Sequence, residues 1–476
     1  MLTLFDHSQT IGRREFLRIG SLTLGGLSLP QLLAARAAAG STRSAAPLTS
    51  ELLTGRSVIF LFMHGGPSQT ETWDPKMTAP DGVRSATGEI ATSLPGVTFG
   101  ATFPRLAALA HRVAVVRSFA TGDGNHDTKP IVGRDTFGAN LGSVYTRVAG
   151  TSHPASGIPT GALLLPQSVD PGTQPVGSGD LQSFPKLSSG GFLGGASAPF
   201  VPGVGGEFQE DMKLSIPIGR LEDRRTLLGR LDQMKWTLDE PEALAGFDPI
   251  REQAYRTILG GVGDAFDLAK EDPRTLARYD TAPLVRPESI DKKWNNHKNY
   301  ADNATSLGKL LLLARRLCEA GCGFVTVTTK FVWDMHADKN NADMVTGMGY
   351  LAPPFDYAVS AFIEDLEARG LSDRILLVCC GEMGRTPKIN AGGGRDHWGN
   401  LAPLLLYGGG VQGGQVVGRS SRDAGEPASQ PVSIQNLIAT ILHAQFHVGE
   451  LRLQSELPRP LTQTMAGWDP IPGLRC

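Results

Sequence analysis

Cysteine is scarce in this chain, and so is net charge. Five cysteines in 476 residues make no disulfide framework, and the odd count leaves at least one thiol free or paired outside the chain. A net charge of −2 argues against nucleic acid as the main partner, because phosphate binding needs a concentrated basic surface. Past the N-terminal region, no stretch reaches the roughly 18 uncharged apolar residues of a spanning helix. Gly-x-Gly-x-x-Gly and Gly-x-Ser-x-Gly after a strand are both missing, as is Gly-x-x-x-x-Gly-Lys-Ser/Thr. These absences disfavour a dinucleotide fold, an α/β-hydrolase and a phosphate-binding loop. Glycine and proline, in contrast, are plentiful at 58 and 32 residues, a loop-rich makeup that stays short of low complexity. Hydrophobic content of 41% against 19% charged suffices for a packed core.

The N-terminus reads as an address. Gly12-Arg13-Arg14-Glu15-Phe16-Leu17-Arg18 precedes a charge-free apolar run from Ile19 to Leu29, and Ala35-Arg36-Ala37 and Ala37-Ala38-Ala39 offer small-x-small cleavage sites. This is the layout of a twin-arginine export signal. The run is short for a membrane span and is weakened by Gly25-Gly26. Residues 1–39 are therefore expected to be the signal and 40–52 a polar linker. Residues 53–470 are expected to form one α/β domain, with a Gly/Pro-rich and helical insertion at about 151–300. Export by this route carries folded protein, so a cofactor can be loaded beforehand. The expected location is periplasmic or secreted. The twin-arginine translocase is the partner in transit, and no stable membrane insertion follows cleavage.

Continuous apolar runs mark buried strands at 57–63, 112–116, 324–329, 374–380 and 401–407. Helices are expected over 103–110, within 218–280, over 304–318, over 355–369 with Gly370 as a stop, and over 433–442. Strand and helix in alternation is the grammar of a doubly wound, mostly parallel sheet. Such sheets bind ligands beyond the carboxyl ends of their strands. There stand His64 with Ser68, Asp123 to Lys129, Asp334 with His336, and Glu382 with Arg385, followed by Asp396-His397-Trp398. Read singly, His64 caps a turn, Glu382 and Arg385 form an ion pair, and His397 packs on Trp398. Their coincidence at one edge favours a metal site built from distant loops, with imidazole and carboxylate ligands that suit Zn²⁺, Mn²⁺ or Fe²⁺. Cys379 and Cys380 lie in a buried strand and read as inert core thiols.

Several motifs carry a resemblance. The stretch from Glu367 through Gly370-Leu371 to Gly381-Glu382-Met383-Gly384 resembles the alkaline phosphatase/sulfatase superfamily. So do His397 with the strand Leu401 to Gly408, and the helix Ser433 to Leu442. Closer still is the exported family called domain of unknown function 1501, often labelled sulfatase-like. It is matched by Gly65-Gly66-Pro67-Ser68, Trp73-Asp74-Pro75-Lys76, Asn125-His126-Asp127, Trp333-Asp334-Met335-His336, Gly381-Glu382-Met383-Gly384-Arg385-Thr386-Pro387 and Asp396-His397-Trp398.

The resemblance implies an alkaline-phosphatase-like three-layer α/β/α sandwich and a metal-dependent hydrolase of sulfate or phosphate esters. Its substrate would be a small anionic ester or a sulfated or phosphorylated glycan. It implies a divalent metal (Zn²⁺, Mn²⁺, Ca²⁺ or Mg²⁺) on Asp334, His336, Glu382 and His397, with His64 where the superfamily has an Asp. Arg385, Lys129 and Asn125 would orient the anion. The nucleophile would be Thr128, Ser68 or Thr121, with Thr128 favoured beside His126 and Asp127. No Cys-x-Pro/Ala-x-Arg occurs, so a formylglycine nucleophile is excluded. Glu382-Met383 in place of the superfamily's Asp-His points to one metal rather than two. The alternative is a non-catalytic exported binding protein that keeps the fold with a degenerate metal site.

Overall fold

The run Ser57–Phe62, strand β1, carries no charge, and every residue after its first is buried. A strand apolar on both faces needs cover on both. The computed structural model describes residues 50–174, 183–203, 262–328 and 330–476, and positions 5, 6, 9, 10, 219, 220, 223 and 226 besides. Almost all of the export signal over 1–39, most of the linker and most of the helical stretch expected over 218–280 lie outside the described residues.

Six strands join β1: β2 Ala114–Val116, β3 Gly161–Leu164, β4 Phe324–Thr328, β5 Ile375–Cys380, β6 Leu404–Gly408 and β7 Gln415–Val417. Their order across the sheet is β7-β2-β6-β5-β1-β4-β3. Strand β1 lies parallel to β4 and β5, β3 to β4, and β7 to β2, while β6 runs against its neighbours β5 and β2. The sheet is therefore mostly parallel. Four longer helices accompany it: α1 Leu141–Ala149, α2 His297–Glu319, α3 Met344–Ala368 and α4 Ile434–Gln445.

Pleating sends alternate residues to opposite faces. Ile59, Leu61, Val115, Val327 and Leu377 share a core with α2 and α3. Val58, Phe60, Phe62, Val116 and Val378 share the other with α1 and α4. The result is a three-layer α/β/α sandwich. The register then decides where chemistry can occur. Phe62 is level with Thr328 and Cys380, Cys380 with Leu404, and Leu404 with Val116. The chain thus leaves β1, β2, β4 and β5, and enters β6, along one edge.

Several elements differ from expectation. Strand β3 is buried in the sheet, although its segment reads as surface from its Gly/Pro/Ser content. Its four residues are too few for a periodic signal. Helix α3 begins at Met344, not Phe355, and runs through Pro353 and Pro354. The Asp343 side chain caps it by accepting from Thr346 N at 2.9 Å, and the burial of Met344, Met348 and Leu351 holds the first half together.

One buried ion network ties the segment before α2 to the helical layer. Arg315 on α2 is 1% exposed. Its Nη2 lies 2.7 Å from Glu271, its Nη1 2.5 Å from Glu319 and its Nε 3.1 Å from Asp365. Burial would raise the Glu271 carboxyl, but Arg316 and Arg315 hold it down to about 2. Arg315→Ala removes one buried partner from each of these carboxylates, which keep Arg316 or Arg369, and should lower the unfolding free energy by about 3 kcal/mol, read from urea denaturation. Arg278→Ala removes only an exposed pair with Glu364 and should cost less than about 1 kcal/mol. The Glu271 contribution should be complete above pH 4.5 and lost as the pH falls towards 2, because its folded value is depressed.

Candidate metal centre

Three loops are sewn together at the level strand ends. After β1, Gly65 adopts φ +110°, and a Cβ on it would stand 2.6 Å from the backbone nitrogen of Asp334. Glycine is what lets the β1 turn pack directly on the loop after β4. His64 O accepts from Trp333 N at 3.0 Å, fixing that contact. On the other side, Gly65 N donates to the Glu382 carboxylate at 2.9 and 3.2 Å, which ties in the loop after β5. That loop then folds into a small hairpin, Gly384–Arg385 against His397–Trp398, in which Arg385 faces His397. The loop after β2 brings His126 in from the remaining side. Gly124 makes this possible, since a Cβ there would meet the His397 Cβ at 3.0 Å.

Four side chains converge as a result. His126, Asp334, His336 and His397 each offer one ligand atom, all within 4.8 Å of one another. Asp334 Oδ1 lies 3.3 Å from His126 Nε2, 2.8 Å from His336 Nε2 and 3.3 Å from His397 Nε2. The Nε2 atoms of His336 and His397 are 2.7 Å apart. Two carboxylates stand behind the rings: Glu382 Oε1 at 2.9 Å from His126 Nδ1, and Asp396 Oδ1 at 3.3 Å from His336 Nδ1. A carboxylate only accepts, so these Nδ1 atoms carry the protons and each Nε2 turns its lone pair inward. Arg385 Nη1, a donor only, lies 3.3 Å from His336 Nε2 and agrees with that tautomer. His336 Nε2 and Asp334 Oδ1 are then two acceptors facing each other, an arrangement that a cation between them resolves. Carboxylate-backed imidazoles are the usual surroundings of a metal ligand. A tetrahedral ion with bonds of about 2.0–2.1 Å spaces its donors roughly 3.3 Å apart, the separation of Asp334 Oδ1 from His126 and His397, while the remaining pairs start at 2.7 Å and stay within 4.8 Å. The residues fit a divalent metal.

The electrostatics agree. Burial would raise the Asp334 carboxyl, but the facing His126, His336 and His397 rings and the Arg385 charge hold it far below the carboxylate range. Burial would lower His126, yet Asp334 and Glu382 raise it above 6.5. His397 is lowered by burial, with the nearby charges of Arg385 and His126 acting in the same direction. The anionic centre thus attracts cations, and a proton competes with a metal for the imidazoles. The three imidazole side chains are 21–31% exposed, so a ligand can approach from solvent.

Among the residues singled out from sequence, Asp334, His336 and His397 come together. His126, expected beside the nucleophile, supplies the fourth donor. Glu382 stands behind it and orients its ring. His64 is outside the group, stacked on Phe62, with Nε2 3.3 Å from Ser183 Oγ. Arg385 is fully buried and does not face solvent as an anion clamp would; its Nη2 sits 2.5 Å from Asp334 and its Nε donates to Gly66 O at 2.7 Å. Lys129 pairs with Asp123. Asn125 is exposed, its backbone N–H held by Asp123. Thr128 donates its hydroxyl to Val132 O at 3.1 Å, Ser68 shares its hydroxyl with Thr70 at 2.9 Å, and Thr121 lies 3.4 Å from Gly399 O. Among the described residues, no serine or threonine hydroxyl bonds to any of the four donors. Sequence reasoning missed Asn341, whose Nδ2 donates to Asp334 Oδ2 at 3.2 Å, and Asn390, which donates to Asp396 at 3.1 Å. Their only signal is proximity in the chain to His336 and Asp396.

Elemental analysis of purified protein should find a divalent ion that His397→Ala or Asp334→Asn removes, with Glu382→Gln weakening binding about 10–100-fold. The metal-free protein has its own pH signature. Because His126 is raised above 6.5, its stabilisation is complete below that pH and fades as the pH climbs through the higher folded value. Thermal melts of chelated protein should therefore drop as the pH rises above 6.5, and added Zn²⁺ should restore them.

No curated protein matches the chain. Solved structures that are similar at low level include two phosphonate monoester hydrolases. Phosphonate monoester hydrolase SpPMH from Silicibacter pomeroyi is 13% identical, with a TM-score of 0.30, over 82% of this chain and 73% of that one. Phosphonate monoester hydrolase of Agrobacterium radiobacter is 14% identical, with a TM-score of 0.27, over 82% and 73%. The family described as "Protein of unknown function (DUF1501)" matches residues 55–450, and the chain belongs to that family.

Proposed function

We propose that this chain is an exported metal-dependent hydrolase of small phosphate or sulfate esters, glycan esters included. The observation that carries this reading is the group of three inward-facing imidazoles and one buried carboxylate at the ligand-binding edge of the sheet. A divalent cation held there supplies Lewis-acid polarisation of an anionic ester oxygen. Asp334 and the three imidazoles would hold it, while Glu382 and Asp396 keep the His126 and His336 rings in the binding tautomer. Arg385 offsets part of the Asp334 charge from inside the protein. Water is the proposed nucleophile, since the Thr128 and Ser68 hydroxyls are bonded elsewhere. The three imidazoles leave an accessible side through which ester and water can enter.

A panel of phosphate, sulfate and phosphonate monoesters tests this. Turnover should require the metal, fall more than about a hundredfold in His397→Ala, and persist in Ser68→Ala and Thr128→Val. Full turnover in chelated protein would exclude the reading. Export is tested separately. Arg13→Lys combined with Arg14→Lys should leave the uncleaved precursor in the cytoplasmic fraction, and unaltered processing would refute the signal.

A further inference from the structure

A chain of side-chain amides runs to the proposed metal centre. Asn341 Nδ2 donates to Asp334 Oδ2 at 3.2 Å. Asn296 Nδ2 donates to Asn341 Oδ1 at 2.9 Å, and Asn299 Nδ2 to Asn296 Oδ1 at 3.3 Å. Gln174 Nε2 completes it, donating to Asn299 Oδ1 at 2.9 Å. The direction of the whole chain is dictated at its inner end. A carboxylate only accepts, so Asn341 must present its NH₂ to Asp334, and its carbonyl must then accept from Asn296, and so on outward. Asn341 and Asn299 are 1% and 3% exposed, so water offers little competition. The outer end is anchored as well. Gln174 N donates to Asp302 Oδ2 at 3.1 Å, and Lys330 Nζ donates to Gln174 O at 2.9 Å. The strand ends of the sheet and the first turns of α2 thus hold the chain of amides at both extremities.

We infer that Asn341 is a positioning residue for Asp334, and that the amides behind it make Asp334 present Oδ1 alone to the metal. This rests on the metal reading above. The two oxygens of Asp334 are used differently: Oδ1 meets the three imidazoles and Arg385, and Oδ2 meets Asn341. With Oδ2 held, the carboxylate cannot swing to grip the ion with both oxygens, which would leave room for substrate as a fifth ligand. Bonds between amides also polarise one another along a line, so each outer member strengthens the inner donor.

Co²⁺ titration of the full chain tests the assignment, with affinity and the visible absorption of the bound ion as readouts. Asn341→Leu keeps the approximate size but loses the donor, whereas Asn341→Ala loses both. A donor role predicts that both variants bind Co²⁺ about 10–100-fold more weakly with an altered absorption band. Asn296→Leu, which leaves Asn341 in place, should shift both readouts in the same direction by less. If Asn341→Leu binds like wild type while Asn341→Ala does not, the residue is packing only and the inference is overturned. Should the Asn341 variants fail a thermal-melt check for folding, Asn296→Leu decides: wild-type affinity and absorption there overturn the relay. Wild-type protein that takes up no Co²⁺ overturns the metal reading and the positioning role together. Wild-type uptake with unchanged variants overturns the positioning role alone.

Discussion

The buried carboxylate of Asp334 is the constraint around which the functional edge is arranged. An isolated anion in that position would be costly, so its neighbours supply a charge, a donor, or ring nitrogens that can share a cation with it. Arg385 contributes a guanidinium from the hairpin after β5, Asn341 an amide, and three loops an imidazole each. Removing one of these leaves the others bound to an anion that is less well compensated. The loops therefore owe their shape to a shared centre more than to their own local preferences.

That centre can form because the sheet brings its strands to a common level. Phe62, Thr328, Cys380 and Val116 lie at one height, so short excursions suffice to bring residues more than 250 positions apart into contact. Antiparallel β6 matters here. It returns beside β5, and the connection between them stays at the same edge and carries both Arg385 and His397. A parallel crossover would have taken that stretch down the length of the sheet.

The sequence reveals much of this fold and less of the site, for physical reasons. Strands β1, β4, β5 and β6 are legible because burial on both faces demands unbroken apolar runs. Strands β3 and β7 are not, since β3 lies in a Gly/Pro/Ser-rich stretch and β7 is three residues set between Gly414 and Gly418. Helix α3 is legible only after Pro354, because an N-cap and packing over its first half outweigh two prolines that would ordinarily end a helix. At the site, residue types at strand ends point to the ligand region, but side-chain direction is invisible in one dimension. Glu382 and His126 both lie there; only the fold shows that His126 faces the centre and Glu382 faces its back. Arg385 reads as an anion clamp from its type, yet lies fully buried on Asp334. The three candidate hydroxyls are absorbed by local backbone or neighbouring hydroxyls, a fate that sequence spacing does not disclose.

Charge balance links the arrangement to the proposed substrate. Asp334, Glu382 and Asp396 face the imidazoles, and Arg385 offsets one of these carboxylates. With neutral rings, the centre carries two negative charges in excess, which repels an anionic ester. A proton on His126 relieves part of that excess but takes up the nitrogen that would otherwise bind. A divalent ion cancels all of it while leaving the rings neutral, and it converts a repulsive pocket into one that an anion can enter. The same ion that these donors fit would thus also remove the repulsion that bars the proposed anionic substrate.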